Sequence, residues 1–161
     1  MAQRPLNVLF VCEKNSIRSI MAEALLHRFS NGRFRAYSAD LNPASELHPL
    51  TAEMLQASGL PTANLKPRNL SEFREPSAPK MDLVISIGSG VNSLPDLPGN
   101  PMVARWGISE PMTGNDDLLG EKVSFRRAFR ELENRIRLFV LVRHDRGGVP
   151  TVGAAPMAQN A

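Results

Sequence analysis

The chain has 161 residues, 42% of them hydrophobic and 22% charged, with a formal net charge of +3 and a pI near 9.5. That length suffices for one ordinary domain with a real core, without metal or disulfides, and the single cysteine excludes an internal disulfide. No apolar run approaches the roughly 18 residues of a spanning helix, no secretory segment is found, and the basic surplus is modest for a nucleic-acid binder. The expectation is a cytoplasmic protein that takes anionic ligands and has neither membrane nor nucleic-acid partners.

The first element is the run Val8, Leu9, Phe10, Val11, which is rich in β-branched and aromatic residues, too short for a helix and continuous rather than alternating. It reads as a parallel strand covered on both faces, with Cys12 at its carboxyl end. From Ile17 the apolar positions Ile17, Ile20, Met21, Ala24, Leu25 and Phe29 follow helical spacing, so a helix starts just after a short loop with its amides turned toward Cys12. Five residues separate Cys12 from Arg18, enough to curl N–H groups around a tetrahedral anion while the guanidinium grips two of its oxygens. Helix dipole, loop amides and Arg18 all favour a negative sulfur, so the thiol is expected to ionise below its free value of about 8.5 and to act as a nucleophile. Ser19 is placed to donate to the departing sulfur, and Asn15 suits a left-handed turn. The bland alternative is a buried structural cysteine.

Ser30, Asn31 and Gly32 stop this helix, and a second strand follows over Phe34 to Ala39. Leu41 to Leu47 reads as loop. Pro49 opens a helix over Leu50 to Ser58 that Gly59 closes, with His48 before it as a cap rather than a ligand. His27 suits the end of its own helix, and no histidine–cysteine pair has metal-ligand spacing, so no metal is expected. Leu60 to Lys80 is a proline-rich connection with a helical turn opened by Ser71. Met81 to Ile87 is a third strand and Met102 to Trp106 a fourth. Met112 to Gly120 reads as polar and flexible, and Glu121 to Arg143 as the last helix, whose stripe Phe125, Phe129, Leu132, Ile136 and Phe139 is core. Its arginines Arg126, Arg127, Arg130, Arg135 and Arg137 are interleaved with Glu121, Glu131 and Glu133, a solvated face. The division is residues 1–143 as the domain and 144–161, without periodicity, as a disordered tail.

VLFVCEKNSIRSIMAEALL, residues 8–26, resembles the signature of the low-molecular-weight protein tyrosine phosphatase family, which includes arsenate reductases on the same fold. The C-x5-R spacing alone is weak; the preceding strand, N-S-x-R-S within and M-A-E-A-L-L on the helix make it specific. The resemblance spans Leu6 to Arg143. It implies a three-layer α/β sandwich with a four-stranded parallel sheet in the order 2-1-3-4. It implies Cys12 as nucleophile, the amides of Glu13, Lys14, Asn15, Ser16, Ile17 and Arg18 with the Arg18 fork as oxyanion cradle, and Ser19 as leaving-group stabiliser. Glu110, in WGISEP, stands where the family's general acid is usually aspartate, and P-G-x-P followed by WGISEP leans toward the arsenate reductase branch.

Several positions depart from the pattern. Asp40 replaces the glycine of S-A-G, Glu13 and Lys14 stand where a small residue and glycine are common, and Ile17 where many members have cysteine. No relay cysteine follows the third strand, ELHPL has no aromatic, and Met112 follows Pro111. The leading reading is a phosphatase acting on phosphate monoesters or a phosphoprotein through a cysteinyl-phosphate. The alternative is reduction of arsenate at the same loop with an external thiol from glutathione, mycothiol or a redoxin, and no bound cofactor. A third is a phosphate-binding module with impaired chemistry.

Overall fold

A continuous apolar strand can expose neither face, and β1 (Leu6–Lys14) accordingly lies inside a four-stranded parallel sheet with β2 (Phe34–Asn42), β3 (Leu83–Ile87) and β4 (Met102–Trp106). The strand order is β2-β1-β3-β4, the 2-1-3-4 arrangement expected. The structure, a computed structural model, describes residues 4–14, 16–89, 91, 94–114 and 116–145.

The pleat of β1 sends Val8, Phe10 and Cys12 to one face and Leu9 and Val11 to the other, and all five are completely buried. The first face carries the helices α1 (Arg18–Phe29), α2 (Pro49–Ala57) and α3 (Leu118–Asp145). Phe125, Leu132 and Ile136 of the α3 stripe are fully buried there, and Trp106 stacks at a tilt on Phe10. The second face is covered by a 3-10 turn, Leu70–Arg74, and neighbouring loops, with Leu70 and Phe73 packed against Leu9 and Val11. Each such buried side chain is worth about 1.5–3 kcal/mol.

Several boundaries differ from expectation. β1 runs two residues past Cys12 and β2 continues through Asn42, because Cys12 pairs with Asp40 and Lys14 with Asn42, so the ladder extends into polar sequence. α3 begins at Leu118 rather than Glu121, since the Asp117 carboxylate caps it by accepting from Gly120 N–H at 2.8 Å. It also continues to Asp145, two residues past the expected boundary, and the rest of the expected tail, residues 146–161, lies outside the described residues. His48 caps α2 as expected, its Nδ1 accepting from Leu50 N–H at 3.0 Å while its ring packs on Phe125.

Candidate active site

The carboxyl end of β1 and the start of α1 bring Cys12, Ser16, Arg18 and Ser19 together, and parallel register sets Asp40 of β2 beside Cys12. Paired residues of neighbouring strands point to the same face, so the Asp40 carboxylate enters the space in front of α1. Its Oδ2 accepts from Ser16 N–H at 2.6 Å and its Oδ1 from the Ser19 hydroxyl at 2.7 Å. Ser16 adopts a left-handed φ of 53°, which turns its amide toward the carboxylate. The α1 N-cap, Ile17, offers no side-chain cap, so Asp40 does part of that work from the neighbouring strand.

The sulfur behaves differently from the sequence expectation. Cys12 is fully buried, and its pKa is pushed up to about 12, first by loss of solvent and then by the Asp40 charge; Arg18, the Ser19 hydroxyl and the Ser19 amide pull the other way without prevailing. Spacing alone shows the favourable charges but neither the burial nor the carboxylate across the ladder. Asp40 is itself held above the usual carboxylate range, mainly by burial, against hydrogen bonds from Ser19 and Ser16.

Arg18 lies between the ends of β3 and β4. Its Nη1 donates to the Ile108 carbonyl at 2.9 Å, and it packs so tightly on Gly88 that a Cβ there, at φ +87°, would stand 2.6 Å from Nη1. Arg18 reaches a cavity of about 770 Å³ whose wall also includes Glu13, Lys14, Arg105, Trp106 and Glu110. Cys12 is not part of that wall. Glu110 is exposed, and the residue before it is clamped to α3: Ser109 N–H and its hydroxyl donate to the two Glu131 carboxylate oxygens, both at 2.8 Å.

The sequence-expected residues thus fall into two groups. Cys12, Ser16 and Ser19 sit around Asp40, with Ile17 buried behind them, whereas Glu13, Lys14, Arg18 and Glu110 line the cavity. Glu13 and Lys14 belong to β1 rather than to a free loop. Asn15 lies outside the described residues. Three residues were missed in these roles: Asp40, Gly88 and Glu131. Asp40 lies two residues beyond Ser38 on one strand face, a signal that extending the second strand would have revealed; Glu131 is hidden among the interleaved charges of α3. Among the described residues no group of three or more His, Cys, Asp or Glu side chains is placed to hold a metal, and no helix is long and apolar enough to cross a membrane.

Comparison with known proteins agrees with the fold. The family described as low molecular weight phosphotyrosine protein phosphatase matches residues 7–146. A glutaredoxin arsenate reductase of a Synechocystis species is 30% identical over 105 residues, covering 65% of this chain and 77% of that protein. The crystal structure of an arsenate reductase from Archaeoglobus fulgidus superposes with a TM-score of 0.63 at 30% identity, covering 83% of this chain and 98% of that one. A thioredoxin-dependent arsenate reductase of Corynebacterium glutamicum does so at 0.62 and 28% identity, covering 86% of this chain and 62% of that one. The chain belongs to the low-molecular-weight phosphotyrosine protein phosphatase family. It is an enzyme of that family's phosphatase or arsenate reductase type.

Proposed function

We propose that the chain is a thiol-dependent arsenate reductase in which Cys12 is the nucleophile. The observation that carries this is the agreement between the relatives, which are arsenate reductases, and the cavity, whose wall sets Arg18, Lys14 and Arg105 among three glutamates and, among the described residues, includes a single aromatic, Trp106. Met112 after Pro111 is 41% exposed and ELHPL supplies no aromatic, so among the described residues neither position offers an aromatic wall to an aryl ring, whereas a small tetrahedral anion needs only the guanidinium and amides.

In this reading Arg18 holds two arsenate oxygens, with the Ser16 amide and the other backbone amides of residues 13–18, from the end of β1 to the start of α1, completing the cradle. The Cys12 thiolate forms a sulfur–arsenic bond as one arsenate oxygen leaves as water, its proton supplied by Glu110. An external thiolate then attacks the Cys12 sulfur; the sulfur–arsenic electron pair passes to arsenic, arsenic(V) becomes arsenic(III), and arsenite leaves behind a mixed disulfide. A second external thiol attacks that disulfide and restores Cys12. Two thiols are oxidised for each arsenate reduced. The chain's single cysteine supports an external source for both, glutathione, mycothiol or a redoxin. The domain that does this work runs, in this reading, through the end of α3 at Asp145 rather than stopping at residue 143.

A phosphatase using the same Cys12, Arg18 and Glu110 is the second reading, favoured by the exposed Glu110 sharing a cavity with Arg18. The test sets arsenate reduction with each thiol system beside aryl phosphate hydrolysis between about pH 5 and pH 7.5. Arsenite release with at least one thiol system is expected. Aryl phosphate turnover without arsenate reduction by any of them overturns the reading in favour of the phosphatase.

A further inference from the structure

Asp40 stands where the sequence pattern has glycine, and nothing in an oxyanion cradle calls for a carboxylate there. It is 1% exposed, and no cation is recorded donating to it by a hydrogen bond among the described residues; its donors include the Ser16 amide and the Ser19 hydroxyl. These are two groups that the proposed chemistry needs elsewhere: the amide for the oxyanion, the hydroxyl for the sulfur. A hydroxyl has one proton to donate. While Asp40 holds it at 2.7 Å, that proton is not fully available to a thiolate at Cys12.

We propose that Asp40 is a positioning residue that occupies the cradle as an internal anion, keeping Cys12 a thiol at rest and yielding the Ser16 amide and Ser19 hydroxyl only when an oxyanion competes for them. The oxyanion half of this rests on the reading of the site given above. The groups acting on Asp40 are Cys12 from β1 and Arg18 from α1, and its own N–H is fixed to the Arg68 carbonyl ahead of the 3-10 turn at 2.9 Å. Glu23, one turn further along α1, is engaged by the Ser38 hydroxyl at 2.6 Å and by the Arg68 charge, and does not share the Asp40 donors. Release of the hydroxyl lets Ser19 turn its proton to the sulfur, and the thiol proton departs to solvent as the anion enters. The device gives a buried, oxidation-resistant thiol that becomes a nucleophile in the presence of its substrate.

The experiment compares wild type with Asp40→Asn and Asp40→Gly. Cys12 is the only cysteine, so thiolate ultraviolet absorbance, blanked with Cys12→Ser, reports its titration directly. Both variants are expected to lower the Cys12 pKa by more than about one unit, a more than tenfold gain in thiolate at a given pH, and to bind inorganic phosphate at least about tenfold more tightly by calorimetry. An unchanged thiol titration in folded variants overturns the proposal. So does unchanged phosphate affinity beside a binding-competent wild type, which leaves the oxyanion reading standing; phosphate binding by none of the proteins sinks both. The wild type alone supplies a further readout: the Ser16 amide proton resonance is expected to move on saturation with phosphate, and an unmoved resonance overturns the proposal even if neither variant folds.

Discussion

The two ends of the sheet each carry an aspartate that accepts hydrogen bonds, and they differ in what surrounds it. At the amino end Asp82 takes the Arg4 guanidinium through both oxygens, at 2.6 and 2.8 Å, and the Asn7 amide at 2.8 Å, which holds its carboxyl below the ordinary range. At the carboxyl end Asp40 has comparable hydrogen bonds and is held above that range, because burial is its dominant influence and its donors are neutral. The first arrangement is a satisfied tie that pins the chain to β3. The second sets a carboxylate where the fold does not favour its charge, next to the proposed nucleophile, and such tension marks functional sites more often than structural ones.

Removing the arginine support at the carboxyl end should cost most. Gly88→Ala places a methyl 2.6 Å from Arg18 Nη1 on a backbone at φ +87°, so Arg18 must move. A displacement of about 1 Å in a positioned group costs on the order of a hundredfold, and kcat/KM for arsenate should fall by that order while circular dichroism stays native. Glu131→Ala frees Ser109 and with it the backbone before Glu110. A smaller loss, on the order of tenfold and mainly in kcat, is expected from steady-state kinetics, since the anion cradle is untouched.

Glu23 tests the buried carboxylates through stability. Its carboxyl is pushed up to about 7, chiefly by burial, from an ordinary value of 4.5. A carboxyl that keeps its proton longer in the folded state than in the unfolded state contributes stability at low pH that is lost as pH rises between those two values. Urea unfolding should show wild type losing on the order of 3 kcal/mol across that window, with Glu23→Gln removing most of the slope and unfolding later than wild type at neutral pH. Arg4→Ala sits at the other extreme: Arg4 is exposed, the urea midpoint should barely move, and the change should shrink further in high salt. A larger effect at Arg4 than at Glu23 would break the contrast between the two ends.

Much of this was legible from the chain. The continuous run Val8 to Val11 predicted a doubly covered strand, and the spacing of Phe125, Phe129, Leu132, Ile136 and Phe139 predicted the helix that covers it, because burial writes itself into apolar periodicity. The polar ends were not legible. Asp40, Leu41 and Asn42 continue β2 through ladder pairing that has no hydrophobic signature, and the Asp117 cap is masked by Gly120 in the first turn of α3. The direction of the Cys12 shift depends on register, which sets Asp40 beside it, and on complete burial; neither is carried by the spacing of Cys12 and Arg18.

The most direct measurement is intact mass spectrometry of wild type quenched during incubation with glutathione, with and without arsenate. With glutathione, or with mycothiol or a redoxin in its place where glutathione does not support turnover, the account predicts a mixed disulfide on Cys12 that accumulates only when arsenate is present, in step with arsenite release. A disulfide that forms equally without arsenate, or arsenite released by Cys12→Ser at the wild-type rate, would contradict it.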